Sequence, residues 1–227
     1  MYFQKAKELT CMVCGKSEKT LCCCEDEHYI CSNCHRAQGV EKALELTMKS
    51  DSKNPITILN QGMRDVSFSP HGPEHHTLVG AALISAYANN VQEQKHETFN
   101  RIEALEELKN RSALVPGGTC GYWGVCGAAA SVGQAASIIF GSTPLNEKMW
   151  KHPLKLTSNA LGAIADIGGC RCCKRTGYTA LLEASLYIEE ELGVSFEMPK
   201  QIRCAFYKRN NECIKEQCPY YPVTMKE

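Results

Sequence analysis

Apolar residues recur at helical spacing through most of the chain. Three runs show this spacing. Two lie between residues 69 and 111, and the third starts at about residue 177. Their apolar positions are Leu78, Val79, Leu83, Ala86 and Tyr87, then Phe99, Ile102, Leu105 and Leu108, then Leu181, Leu182, Ala184, Ile188 and Leu192. Recurrence every three or four residues is typical of one buried helix face. The pattern predicts a mainly α-helical core.

Local signals mark where several elements begin and end. Pro73 suits the first turn of a helix, and Cys126 opens an alanine-rich helix that should end near Phe140. The apolar run at residues 55–59, PITIL, predicts an entry strand, and a short helix is expected over residues 143–150.

The segment GGCRCCKR, residues 168–175, is expected to lie in a turn between two helices. Ser158 can cap the first helix and Gly168 or Gly169 can end it, whereas the second helix should start at about Gly177. Three cysteines would then be crowded into one turn, followed by two cations that can stabilise thiolates or hold an anion.

Charge and composition narrow the function classes. Lys plus Arg and Asp plus Glu both number 25, and this balance argues against a general nucleic-acid or anionic-membrane surface. No apolar run approaches a membrane span, and no signal-peptide pattern opens the chain, so a cytoplasmic location is expected. The 15 cysteines are an odd number in a reducing compartment, which favours metal binding or thiol chemistry over disulfides.

The cysteines form three groups and suggest three parts of the chain. Seven lie in residues 11–34, five in 120–173 and three in 204–218. The predicted parts are a cysteine-rich, zinc-ribbon-like or treble-clef-like module at 1–50, a helical core domain at 51–200 and a cysteine-rich metal-binding tail at 201–227.

Two CxxC pairs near the N-terminus predict a structural zinc site. Cys11 and Cys14 form one pair and Cys31 and Cys34 the other, with 16 residues between them. This spacing is typical of a tetrahedral four-thiolate zinc site. Spare donors leave an iron–sulfur cluster or a sulfur-carrying role open; they are Cys22, Cys23, Cys24 and His28.

Two further segments carry candidate catalytic groups. His71, Glu74 and His75 surround the predicted start of a helix, where they could bind an anion, move a proton or ligate a metal; capping and core packing are the alternatives. Cys120 and Cys126 lie in a glycine-rich loop, and a thiol at a helix N-terminus is favoured as thiolate, hence as nucleophile or ligand.

The remaining cysteines predict a second metal centre. Cys204, Cys213 and Cys218 need a fourth ligand, which the crowded turn could supply from Cys170, Cys172 or Cys173. Three protein thiolates alone would leave one iron of a cluster open to substrate. Which cysteine of the turn is a ligand stays open.

Five motifs together resemble one family. CEDEHYICSNCH, HGPEHH, PGGTCGYWGVCGAA, GGCRCCKR and ECIKEQCPYYP are similar to an uncharacterised cysteine-rich domain family of anaerobic bacteria and methanogenic archaea, sometimes fused to methyltransferase-like domains. The resemblance spans most of the chain and implies an anaerobic, metal-rich setting. It implies no particular reaction. Where the family pattern has glycine before the histidine of the first motif, this chain has Glu27.

Two functions are compatible with these residues. The first is an iron–sulfur enzyme of sulfur or thiol chemistry, such as a sulfur transferase or desulfidase, with a 4Fe-4S cluster, zinc and a small thiol or sulfur-containing substrate. The second is a non-enzymatic iron–sulfur and zinc module for electron transfer or metallocofactor assembly, serving a partner metalloenzyme. An electron carrier needs a fully ligated cluster, whereas an enzyme needs an open iron or a free reactive thiol.

Overall fold

The chain folds into a helical core preceded by a β-hairpin. The computed structural model describes residues 2–23, 28–65, 68 and 71–222. The elements within these residues are β1 (Tyr2–Thr10), β2 (Ser17–Cys22), α1 (Ser32–Met48), α2 (Pro55–Arg64), α3 (Glu74–Lys95), α4 (Arg101–Ala113), α5 (Thr119–Tyr122), α6 (Gly127–Ile139), α7 (Lys151–Ile167) and α8 (Cys173–Leu192). The predicted fold class, mainly helical with a zinc-ribbon-like N-terminal module, is confirmed.

The N-terminal module is an antiparallel hairpin with a small hydrophobic cluster of its own. β1 pairs with β2 in a register that sets Lys7 opposite Thr20 and Thr10 opposite Ser17. Cys11, Tyr29 and Cys31 are buried together at the end of this hairpin, in a cluster distinct from the main core. The hairpin therefore brings the first CxxC segment close to the second, which lies at the start of α1.

Helix α3 is the centre of the main core. It packs against α1, α2, α4, α6 and α8, and its buried residues are distributed around its whole circumference. Small residues allow this close packing: the Gly80 N–H donates to Ser131 Oγ of α6 at 2.8 Å. The apolar run of α3 predicted one buried side, whereas the helix is enclosed on every side.

The cysteine-rich tail lies on α8 and the main core. Ile202, Phe206 and Tyr220 belong to the core cluster, and Thr179 Oγ1 of α8 lies 2.9 Å from Tyr220 Oη. The Cys204 N–H donates to the Tyr220 carbonyl at 2.7 Å, which closes the tail on itself. Its regular structure in the described residues is two single 3-10 turns, Tyr207–Arg209 and Lys215–Gln217.

Two predicted elements are wrong. Residues 55–59 are not a strand but the start of α2, because Asn54 Oδ1 accepts from the Ile56 and Thr57 N–H groups and Pro55 occupies the first helical position. Residues 143–150 form turns instead of a helix. The residue types of PITIL favour a strand, but the Asn54 cap that precedes the segment makes it helical.

Two helix starts and one core residue also differ from the prediction. Ser158 lies inside α7, which begins at Lys151, and α8 begins at Cys173, four residues before Gly177. Ile102, predicted on the buried face of α4, is 69% exposed, while Leu105 and Leu108 are buried as expected.

In the part of the chain that the structure describes, no helix combines the length and hydropathy needed to cross a membrane.

Candidate functional site

Four N-terminal thiols are arranged around a common point. The sulfurs of Cys11, Cys14, Cys31 and Cys34 all lie within 4.8 Å of one another. Cys14 Sγ is 3.7 Å from Cys31 Sγ, and the Cys31 N–H donates to Cys11 Sγ at 3.3 Å. These four side chains could hold a metal ion, as the CxxC spacing predicts.

Two thiols of this group, Cys11 and Cys34, have pKa values shifted in opposite directions. Backbone N–H groups of Cys31 and Cys14 lower the pKa of Cys11 to about 6, whereas hydrogen bonds to the Cys31 and Cys14 sulfurs raise the pKa of Cys34 to about 12. A metal ion would displace the proton that Cys34 retains, which couples binding to pH.

The spare donors near this group remain outside it. Cys23 is buried and His28 exposed, and neither belongs to the four-sulfur group. The predictions for Cys24, for the side chain of Cys22 and for the turn at Glu27 fall outside the described residues.

A second set of thiols lines a small cavity between α8 and the tail, here named the thiol pocket. Cys172, Cys204, Cys213 and Cys218 all line it, and its walls are mainly aromatic, contributed by Tyr178, Phe206, Tyr207, Tyr220 and Tyr221. The structure thus brings three cysteines of the tail together with one cysteine of the crowded turn, although they are 32 to 46 residues apart.

Backbone N–H groups point at all four sulfurs of the thiol pocket. Cys172 Sγ caps α8 by accepting from the Arg175 N–H at 3.5 Å. Cys204 Sγ accepts from the Phe206 N–H and Cys213 Sγ from the Lys215 N–H, both at 3.4 Å. The backbone N–H of Tyr220 also favours the thiolate form of Cys218. Donors two or three residues ahead of each sulfur stabilise thiolates and tune the metal bound to them.

Burial favours the protonated form of two of these thiols, Cys204 and Cys218. It raises the pKa of Cys204 to about 11 and also raises that of Cys218, and in both cases the neighbouring thiols of the pocket add to the increase. Buried thiols whose ionisation is disfavoured by neighbouring thiols are poorly placed without a cation. Lys174, Arg175 and Arg209 line the same pocket and can offset the charge of bound thiolates.

The four sulfurs of the thiol pocket could hold a metal ion or an iron–sulfur cluster. Within the described residues, only the N-terminal four thiols all lie within 4.8 Å of one another, so the thiol-pocket sulfurs are spread more widely. A cluster accommodates wider spacing because each thiolate ligates a different iron. Four soft sulfurs, N–H donors and aromatic walls are suited to such a group.

A much larger cavity adjoins the thiol pocket. It measures about 680 Å³, and we call it the large cavity. Its lining includes four further cysteines, three histidines and two arginines, namely Cys120, Cys126, Cys170, Cys173, His71, His75, His76, Arg171 and Arg175. Cys172 and Arg175 line both cavities and therefore form the wall between them.

Two glycines allow the predicted motifs to meet in the large cavity. A Cβ on Gly127 would overlap the His76 imidazole, and one on Gly72 would overlap the Glu74 carboxylate. Cys126 is the residue that precedes α6, as predicted, and it is half-buried. The His76 ring of the HGPEHH segment thus packs against Gly127 at the start of α6. The missing side chain of Gly127 makes room for that ring.

Behind the large cavity, Glu74, His75 and Lys174 form a buried polar network. They are 1%, 2% and 6% exposed. His75 Nδ1 lies 3.1 Å from the Gly72 carbonyl and 3.4 Å from Glu74 Oε1, and Lys174 Nζ lies 2.8 Å from His75 Nε2. Because Nδ1 faces acceptors, Nε2 is the acceptor for the lysine. Burial lowers the pKa of His75, in agreement with a neutral ring.

His71 connects the large cavity to the tail. Its Nε2 is 3.0 Å from Asn210 Oδ1 and 3.6 Å from Glu212 Oε2. Burial lowers its pKa, and the charges of Arg171 and Lys174 lower it further. His71 and His75 therefore share one cavity with Cys120 and Cys126.

Sequence patterns predicted many of the residues that line the two cavities but missed their partners. Nothing in the spacing of His75 and Lys174, 99 residues apart, predicts their hydrogen bond. Arg171 and Asn210 were likewise not among the predicted site residues. The one available signal was the pair of cations at the end of GGCRCCKR, of which Lys174 faces the histidine as well as the thiols.

The fold and the two cavities define a helical, cysteine-rich protein with thiols positioned to bind metal. The chain belongs to a family of unknown function, DUF5714, whose model matches residues 43–221. The matched part contains both cavities, and Cys11, Cys14, Cys31 and Cys34 precede it. No curated protein matches the chain, and no solved structure does.

Proposed function

We propose that the protein is a metalloenzyme of sulfur or thiol chemistry. In this proposal an iron–sulfur cluster on Cys172, Cys204, Cys213 and Cys218 forms one wall of the large cavity. The observation that carries the proposal is the position of Cys172, which lines the thiol pocket and the large cavity together. Such a fully ligated cluster would supply electrons, and zinc would occupy the four N-terminal thiols.

The free thiols of the large cavity supply the nucleophile. Four protein thiols complete the ligand set of a cluster, so the reactive group falls to a cysteine outside that set. Cys126 is favoured because it precedes α6, whose N-terminus stabilises a thiolate. Cys120 lies on the same cavity and is the alternative.

Sulfur transfer to Cys126 balances without an oxidant. The Cys126 thiolate attacks the outer sulfur of a substrate persulfide, R–S–SH, and forms a new S–S bond. The original S–S bond breaks, and R–S⁻ leaves with its electron pair while the transferred sulfur keeps its proton.

Anaerobic purification with metal and sulfide analysis tests the cluster. We expect iron and acid-labile sulfide together with about one zinc per chain. Cys213→Ala should lose iron and sulfide and keep zinc. Cys170→Ala is the matched control, since Cys170 lies on the crowded turn but does not line the thiol pocket, and it should keep both. A chain without iron and sulfide would contradict the assignment.

Mass spectrometry tests the chemistry. After incubation with glutathione persulfide, one added sulfur atom should appear on Cys126, and Cys126→Ser should abolish it. The second candidate, an electron-transfer or assembly module, is favoured by the complete set of four pocket thiols. It would show a reversibly reducible cluster and no sulfur on any cysteine of the large cavity. An oxygen-free setting, implied by the resemblance, belongs to either proposal.

A further inference from the structure

We infer that the large cavity selects anionic substrates, with the negative group bound beside Arg171 and the start of α6. This inference deepens the proposed function by naming a substrate class, and it rests on that proposal only for the reaction that follows binding. The shared chemistry is a carboxylate, sulfonate or phosphate group on a small sulfur-containing molecule. A volume of about 680 Å³ is within the range of small-molecule sites.

The first support is the charge of the lining. Arg171 and Arg175 line the large cavity, and among the described residues no Asp or Glu does. Glu74 is close, but it is buried behind Gly72 and His75, and Lys174 lies on the other side of that histidine. The negative charge of Glu74 is therefore balanced by the positive charge of Lys174 within the protein.

The second support is that the two arginines have different roles. Arg175 is 5% exposed and donates to the Cys170 carbonyl at 2.6 Å, and it also lines the thiol pocket, whose thiolates it can offset. Arg171 is exposed, and its side chain has no ion pair or hydrogen bond in the described part of the chain. Its charge is the one available to a ligand.

The third support is the convergence of helix starts. α3, α6 and α8 all begin at the large cavity, which is lined by His75, Gly127 and Cys173 from their first turns. The start of α6 has no side-chain cap, and the described residues contain no acceptor for the Gly127 and Ala128 N–H groups. Backbone donors of this kind bind oxyanions.

Alkylation rates measure the potential at the cavity thiols. The intact, metal-loaded protein is treated with iodoacetate, an anion, or iodoacetamide, its neutral counterpart, and each cysteine is followed by mass spectrometry. Glutathione gives the intrinsic rate ratio of the two reagents. At Cys120 and Cys126 the iodoacetate-to-iodoacetamide ratio should exceed that of glutathione by about tenfold and fall as salt is added.

Three variants assign the effect. Arg171→Gln should lower the ratio at Cys126 several-fold, and Arg171→Lys should retain most of it; the position is exposed, so neither change should disturb folding. Lys155→Gln removes an exposed cation of α7 that does not line the cavity and should leave the ratio unchanged. A ratio no higher than that of glutathione in the unmodified protein would overturn the inference.

Protection experiments separate the possible head groups. Inorganic phosphate, acetate and 2-mercaptoethanesulfonate are titrated against alkylation of Cys126, with neutral 2-mercaptoethanol as control. Saturable protection by one anion identifies the preferred group, and protection by none of them overturns the inference. If glutathione persulfide leaves no sulfur on Cys126 while anions still protect it, the proposed reaction fails and the anion site stands.

Discussion

Burial holds the histidines of the HGPEHH segment neutral, and the nearby cations and helix starts act in the same direction. The pKa of His76 is lowered to about 4, mainly by burial and then by the neighbouring His75. His76 packs on Gly127 at the start of α6, where a protonated ring would meet the positive end of the helix. The same arrangement that favours an anionic ligand therefore disfavours an imidazolium.

This lowered pKa makes folding stability depend on pH. The unfolded histidine has a pKa near 6.5, so between about pH 6.5 and 4 the unfolded chain binds more protons than the folded one. Stability contributed by neutral His76 is complete above that window and is lost as pH falls, by up to about 1.4 kcal/mol per pH unit.

Denaturant unfolding at pH 7, 6 and 5 measures the effect. His76→Gln should flatten the decline relative to the unmodified chain, whereas His96→Asn, an exposed position at the left-handed end of α3, should leave it unchanged. An equally steep decline in His76→Gln would assign the pH dependence to other groups.

At the scale of elements, the distance between α3 and α6 depends on glycine. A Cβ on Gly80 would lie 2.6 Å from Ser131 Oγ and 2.9 Å from the Ser131 carbonyl, which is backbone and cannot rotate away. A Cβ on Gly162, which is exposed in α7, would have no atom within 4 Å. The two glycines thus occupy similar helices in opposite environments.

Alanine substitution should separate them. Gly80→Ala should destabilise the protein by about 1–3 kcal/mol through overpacking, and Gly162→Ala should stabilise it by about 0.5–1 kcal/mol because alanine loses less entropy in a helix. Free energies of unfolding from denaturant titration check both signs. Equal effects from the two substitutions would mean that the α3–α6 contact is looser than the structure shows.

Some helix ends and buried faces could be predicted from the sequence, and others could not. Cys126 and Gly168 are correctly predicted at helix ends, because capping and termination depend on nearby residues. Residues 55–59 resemble a strand because Ile and Thr favour strands, although the Asn54–Pro55 cap is also local and was available. Ile102 fits a helical apolar face, but only the packed structure shows that face turned to solvent.

The residue types of the candidate site could be predicted from the sequence, but the contacts between its residues could not. Clusters of Cys and His indicate soft ligands and proton carriers, so the thiols of both cavities could be chosen from the sequence. Selecting Cys172 from the crowded turn required the fold, since α8 begins there and directs that sulfur toward the tail. Contacts such as Lys174 with His75 arise only when α3 and α8 pack together.

At the scale of the whole molecule, the two thiol centres lie in separate hydrophobic clusters. Cys11, Cys31 and Cys34 pack with Tyr29 at the end of the hairpin, whereas Cys204 and Cys218 pack against the main core. The family match begins at residue 43, within α1, and includes only the second centre. Helix α1 joins the two, because it follows Cys31 and packs on α3.

This separation predicts that the centres can be lost independently. Under the proposed function, Cys14→Ala removes an exposed N-terminal thiol and should abolish zinc binding while the iron and sulfide content stays unchanged. The main core should keep its thermal midpoint to within about 2 °C, as expected for a change of about 0.5 kcal/mol or less. Metal analysis and the melting of helical circular dichroism measure both quantities. A large drop in the midpoint together with zinc loss would show that the N-terminal site anchors α1 and, through it, the central helix α3.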